Sequence, residues 1–91
     1  MAFTIQFDPQ KARSNFNKHA VRLTDAATVL SDAQALTLAD HDHNEERWVT
    51  LGEDSKGRIL VVVYTYRDPN FVRLISARKA QPREIQQYRG G

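Results

Sequence analysis

Ninety-one residues suffice for one domain and one core, and a chain this short buries only a little over ~60% of its unfolded surface, so a permanent partner would help. The composition is 41% hydrophobic and 26% charged with a net charge of +2, which excludes a disordered chain; the absence of cysteine excludes disulfides, thiol catalysis and cysteine-ligated zinc or iron–sulfur sites. The longest apolar run, Ile59 to Tyr64, is far short of the ~20 residues that span a bilayer, and Met1-Ala2-Phe3-Thr4-Ile5 lacks the regions of a signal peptide, so one cytoplasmic domain over residues 1–91 is expected.

Phe3 to Phe7 alternates apolar and polar residues and predicts a strand with one buried face. Asp8-Pro9 starts a helix: the carboxylate can accept the first free N–H groups, and proline suits the first helical position. The helix runs to about His19, with Ala12, Phe16 and Ala20 as its apolar stripe. Thr24 is a second candidate cap, ahead of a short helix ending near Ser31-Asp32. Ala35 to Ala39 reads as a short strand, and His41-Asp42-His43-Asn44-Glu45 as a polar loop. Glu46 to Leu51 is a strand, and Asp54-Ser55-Lys56-Gly57 is a turn in which Gly57 can take a positive φ. Arg58 to Arg67 is apolar on both faces and predicts a central strand. After the turn at Asp68-Pro69-Asn70 comes a strand from Phe71 to Ala77, then a helix over Gln81 to Tyr88. The order is β-α-α-β-β-β-β-α. Short turns force antiparallel neighbours, so the expected fold is α+β: one antiparallel sheet with the two N-terminal helices on one face, and a C-terminal helix.

The charges are segregated. Residues 11–22 carry Lys11, Arg13, Lys18 and Arg22 without an acid; residues 40–54 carry six acids against Arg47; residues 67–91 carry six bases against Asp68 and Glu84. Basic ends around an acidic middle suit a polyanion, as they suit solvated faces. Lys11, Asn15, Lys18 and Arg22 fall within roughly 60° of one helical face. They can grip successive phosphates or form an ordinary solvent face. Strict alternation puts Arg73 on a face with Phe71, Ile75 and Ala77, and Ser76 with Arg78 on the other. Arg78, Lys79 and Arg83 are phosphate-binding types, Glu84 is a carboxylate and Tyr88 a phenol. Such groups can cleave RNA: a base takes the 2′-OH proton, cations stabilise the phosphorane, and an acid protonates the leaving 5′-oxygen. Structural ion pairs to the acidic middle are the alternative for Arg73 and Arg78. His19 is a general-base candidate or a structural imidazole at a helix end. His41 and His43 could bind a divalent metal, but a solvated loop is the better expectation. Trp48 and Tyr64 could stack on bases or pack in the core.

Phe7-Asp8-Pro9-Gln10-Lys11, Asn15 and Lys18-His19 resemble the opening of the BrnT toxin family, with Ala20 where that family usually has glycine. Glu46-Arg47-Trp48-Val49-Thr50-Leu51-Gly52 and Arg58 to Tyr64 resemble its strands. Arg73-Leu74-Ile75-Ser76-Ala77-Arg78-Lys79-Ala80, with Arg83-Glu84 and Tyr88, is the most specific match. The resemblance implies a RelE-like fold and a metal-independent endoribonuclease toxin that arrests translation. It implies no cofactor, a BrnA-like antitoxin partner in a heterotetramer, and operator DNA reached only through that antitoxin. Arg73, Arg78, Lys79 and Arg83 are then the expected transition-state cations. Glu84, His19 and Tyr88 are the expected proton-transfer groups, and Lys11, Asn15, Lys18 and Arg22 the RNA contacts. An inactive antitoxin-binding or nucleic-acid-binding module is the alternative.

Overall fold

A computed structural model describes residues 4–40, 46–68 and 70–90. Five strands and three α-helices follow one another as β1 (Thr4–Gln6), α1 (Pro9–His19), α2 (Leu23–Ala26) continued by a 3₁₀ turn (Ala27–Ser31), β2 (Leu36–Asp40), β3 (Arg47–Glu53), β4 (Ile59–Asp68), β5 (Phe71–Lys79) and α3 (Pro82–Gly90). This is the element order expected from the sequence. The sheet order is β1-β5-β4-β3-β2.

β2 to β5 form an antiparallel meander, and β1 departs from the all-antiparallel expectation by lying parallel to β5 at the edge. The reason is topological. Tight turns dictate antiparallel pairing only for strands adjacent in sequence; β1 is separated from the meander by α1 and α2, so either direction is open to it.

Local chemistry sets the element ends. Asp8 caps α1 by accepting from the Gln10 N–H at 2.9 Å, with Pro9 in the first turn. Ala20 ends α1 in the left-handed region, φ 56°, donating its N–H to the Phe16 carbonyl at 2.8 Å. α2 begins one residue earlier than Thr24, with Arg22 in the cap position. The β3–β4 turn has Gly57 at φ 80°. Buried Asp54 pins that turn by accepting from the Lys56 and Arg58 N–H groups and the Arg58 guanidinium. Burial alone would raise the Asp54 carboxyl, but these bonds hold it below the usual range.

The two faces of the sheet are used differently. Val21, Leu23, Ala26 and Val29 from the α1–α2 layer pack on Leu60, Val62, Tyr64, Val72, Leu74 and Ala77. On the other face α3 contributes Ile85 and Tyr88 to a smaller cluster with Leu51, Ile59 and Val61. α3 therefore lies across the sheet from α1 and α2. Trp48 and Tyr64 are packing residues: Trp48 lies against the larger core, and the buried Tyr64 hydroxyl bonds Thr50 at 2.8 Å. The His41 and His43 loop lies outside the described residues.

Candidate active site

β5 has one free edge beyond the short β1. β1 pairs only with Phe71 to Arg73, so the second half of β5 needs another partner. Asn15 supplies it. The Asn15 carboxamide donates to the Ala77 and Val21 carbonyls and accepts from the Ala77 N–H, all at 2.9 Å. A primary amide offers one acceptor and two donors, enough to satisfy an outward-facing peptide group as a neighbouring strand would.

This corrects the expected phosphate stripe. Asn15 is buried, not solvent-facing, and Arg22 lies beyond the end of α1. Its guanidinium stacks 5.1 Å from the ring centroid of Phe16. Phe16, expected in the core, is 44% exposed. The polar amide turns inward because it has three buried partners, and the neighbouring aromatic is carried outward by the 100° step of the helix.

What remains of the stripe forms a groove. Lys11, Ser14, Lys18 and His19 of α1 face Ile75 and Ser76 of β5 across about 180 Å³, and no carboxylate lines it. α1 is anchored there by Asn15, so its lysines hang over the strand edge.

Ile75 has a second consequence. Val63 pairs with Ser76, but Tyr64 pairs with Leu74, so Ile75 is an extra residue, a bulge. Strict alternation put Arg73 with Ile75 and Ala77, and Arg78 opposite. The bulge reverses the parity beyond it. Arg73 pairs with Thr65, Ser76 with Val63 and Arg78 with Val61. Those three β4 residues alternate along one strand and share a face. Arg73, Ser76 and Arg78 therefore lie in one column on the α3 side of the sheet. Ala77 points to the larger core instead.

The C-terminal cluster expected from the sequence is divided by its own contacts. Arg78 makes a two-pronged pair with Glu84, at 2.8 and 2.9 Å. Glu84 also accepts from the Gln81 N–H at 2.8 Å, closing the first turn of α3. The Arg78 hydrogen bonds lower the Glu84 carboxyl to about 2, against the opposing effect of burial and with help from the Gln81 N–H. Glu84 reciprocally raises Arg78. Tyr88 points elsewhere, donating to Asp32 at 2.6 Å. That bond leads in pushing the phenol up to about 12. Lys79, paired with Leu60, turns to the α1 side, and Arg83 stands exposed on α3.

The arrangement has two halves meeting on β5. One is the groove of Lys11, Lys18 and His19; the other is the column with Arg78. Ser76 belongs to both. The charge-fixing role of Glu84 is the feature sequence reasoning missed. An arginine and a glutamate six residues apart, bridging a strand and the start of the next helix, were its only sequence signal. Among the described residues no group of three acidic or histidine side chains is placed to hold a metal. No described helix is long and apolar enough to cross a membrane.

The sequence model of a family described as "Ribonuclease toxin, BrnT, of type II toxin-antitoxin system" matches residues 7–84. No curated protein matches the chain. Among solved structures, the chain is similar to the 1.1 Å crystal structure of the Brucella abortus ribonuclease toxin, BrnT. The TM-score is 0.66 at 22% identity, over 88% of this chain and 99% of that one. At that identity the likeness speaks for the fold.

Proposed function

The chain belongs to the BrnT family of ribonuclease toxins of type II toxin–antitoxin systems, and we propose that it cleaves RNA without a metal in the groove between α1 and β5. One observation carries this reading: two lysines, an imidazole and the Ser14 hydroxyl line one acid-free groove along the Ile75–Ser76 edge of β5. Lys11 and Lys18 hold the RNA backbone as point charges. His19 takes the proton from the 2′-hydroxyl as its oxygen attacks phosphorus. The bond from phosphorus to the 5′-oxygen breaks, and that oxygen takes up a proton from solvent water. The products are a 2′,3′-cyclic phosphate and a 5′-hydroxyl end.

Arg78 supplies the fixed cation for the charge that builds on the phosphorane. It stands two residues from Ser76 on the same face, and its two-pronged bond to Glu84 removes its freedom to swing. Glu84 is thereby a positioning residue. Held ionised far below neutral pH, it has no proton to give. Tyr88 is committed to Asp32 and serves to hold α3. Lys79 and Arg83 add to the field around the site. The toxin acts in the cytoplasm, and its partner is a protein antitoxin of the BrnA type. The two assemble as a heterotetramer that reaches operator DNA only through the antitoxin.

The test is cleavage of an end-labelled RNA by the purified chain in excess EDTA, with the new ends mapped. Cyclic-phosphate ends are expected. His19→Ala should lower the rate by ~10²-fold or more. Lys11→Ala with Lys18→Ala should weaken RNA binding and flatten its salt dependence. Failure of the wild type to cut, or full activity of the His19 variant, refutes the proposal.

A further inference from the structure

The α3 side of the sheet is covered at one end only, over Leu51, Ile59 and Val61. Beyond α3, register places Leu38, Val49 and Val63 in one row, and Asp40 opposite Arg47 and Thr65 opposite Arg73 in the next. β2 is the edge strand on this side of the sheet. Its Leu38 is 73% exposed and Leu36 is partly so, although both lie on this face opposite apolar neighbours on β3. A groove of about 430 Å³ runs between these leucines, Val49 and the Glu84 and Gln87 side of α3.

At the far side of the same face stands a polar group without a match. Arg73 is half-buried, and its Nε is fully buried with no hydrogen-bond partner among the described residues. Such a nitrogen is costly to leave unmade. With Nε closed to solvent, the guanidinium is met through its terminal Nη groups, and a carboxylate suits these best as a charged acceptor. Leu38 and Arg73 are three strand spacings and one row apart, about 16 Å, which is three turns of helix.

We propose that this face is the docking surface for the antitoxin: an amphipathic segment lays aliphatic side chains on Leu36, Leu38 and Val49 and brings a carboxylate to Arg73. The existence of that partner rests on the toxin reading; the location of the surface does not depend on where RNA is cut. Aliphatic side chains at Leu36, Leu38 and Val49, with a guanidinium farther along the face in the polar row of Asp40, Arg47 and Thr65, suit an amphipathic protein segment better than RNA, whose sites pair exposed cations with aromatic stacking platforms. A half-buried charge at the polar end of that face also gives the interface register and selectivity.

The experiment titrates the toxin with its cognate antitoxin by calorimetry, using wild type, Leu38→Asp, Arg73→Ala and Arg73→Lys. Arg73→Ala should weaken binding by about 30-fold or more, the usual consequence of truncating one partner of a buried charged pair. Arg73→Lys should recover part of that loss. Leu38→Asp should weaken binding by about tenfold or more and leave both the melting temperature and RNA cleavage of the free toxin at wild-type values. Wild-type affinity in Leu38→Asp and Arg73→Ala overturns the proposal. So does loss of RNA affinity with antitoxin affinity intact in Arg73→Ala, or a free-toxin dimer that Leu38→Asp dissociates. A wild type that cuts RNA but ignores the antitoxin sinks this inference alone; one that does neither sinks the toxin reading with it.

Discussion

Replacing Asn15 by alanine deletes three buried hydrogen bonds at once: two donated to the Val21 and Ala77 carbonyls and one accepted from the Ala77 N–H. Water cannot take over these partners, because Val21 and Ala77 are 0% and 1% exposed. Each orphaned buried group costs ~1–3 kcal/mol, so the variant should lose about 4 kcal/mol. Set against a total of ~5–15 kcal/mol for a domain, that is a large fraction. For a chain of this size it lowers the melting temperature by roughly 15–30 °C. Asn15→Asp should be no better: the carboxylate keeps the Ala77 N–H but sets its lone pairs against two carbonyl oxygens. Urea and thermal unfolding, followed by circular dichroism and Trp48 fluorescence, measure the loss. A change under 1 kcal/mol refutes the reasoning. RNA cleavage that falls while the unfolding midpoint stays fixed would restore Asn15 as a phosphate contact.

Ala20→Gly should stabilise the chain. It removes the ~1–2 kcal/mol cost of a left-handed alanine at the price of ~0.5–1 kcal/mol in backbone entropy, a net gain of about 0.5 kcal/mol that thermal melts can resolve. Glu84→Gln should remove an acid-sensitive part of the stability. With the native carboxyl lowered from 4.5 to about 2, its contribution is full above pH 4.5 and is lost as pH falls toward 2. After allowance for partial solvent exposure of the pair it amounts to about 1–2 kcal/mol. Urea midpoints of wild type and variant should therefore differ at pH 7 and converge by pH 2; an equal gap at both would contradict the pairing. Gly52→Ala should destabilise by ~1–3 kcal/mol, because its Cβ would stand 3.0 Å from Val29 Cγ1 and 3.1 Å from Ala35 Cβ and Asp32 Oδ2; a melting temperature at or above wild type would show that this packing yields.

Most elements were legible because their signals are local. Asp8-Pro9 marks the start of α1, Gly57 marks the β3–β4 turn, and the β-branched run of β4 marks a strand buried on both faces. The family was legible too, in the motifs from Phe7 to His19 and from Arg73 to Glu84. The failures share a cause: each depended on tertiary contacts that local pattern and residue type do not announce. Nothing near Ile75, neither glycine nor proline, announces a bulge, so strict alternation separated Arg73 from Arg78. Helical spacing placed Asn15 in line with Lys11 and Lys18 but could not reveal that Val21 and Ala77 would claim its amide. The parallel edge position of β1 is a choice of partner, which a three-residue strand does not encode. Glu84 and Tyr88 were drawn to the site by residue type, which did not announce their bonds to Arg78 and Asp32.

β5 is where these pieces act on one another. Ser76 lines the α1 groove, Arg78 follows two residues later on the α3 side, and Arg73 precedes Ser76 by three residues, one of them taken up in the bulge. By strand rise the Arg73 and Ser76 positions are within ~10 Å, less than the ~10–12 Å width of a helix with its side chains. On the proposed docking, an antitoxin segment seated over Arg73 as a helix would overhang Ser76 and approach Arg78. An RNA backbone held by Lys11 and Lys18 must cross that same strip of β5 to place a phosphate near Arg78. If both proposed sites are correct, the two ligands would compete for space across one strand, and neutralisation would require no distortion of the groove. On the proposed reading the two arginines would differ in role: Arg78, held by Glu84, would be a fixed cation for the phosphate in the free toxin, whereas Arg73, whose Nε has no partner among the described residues, would gain a carboxylate on binding.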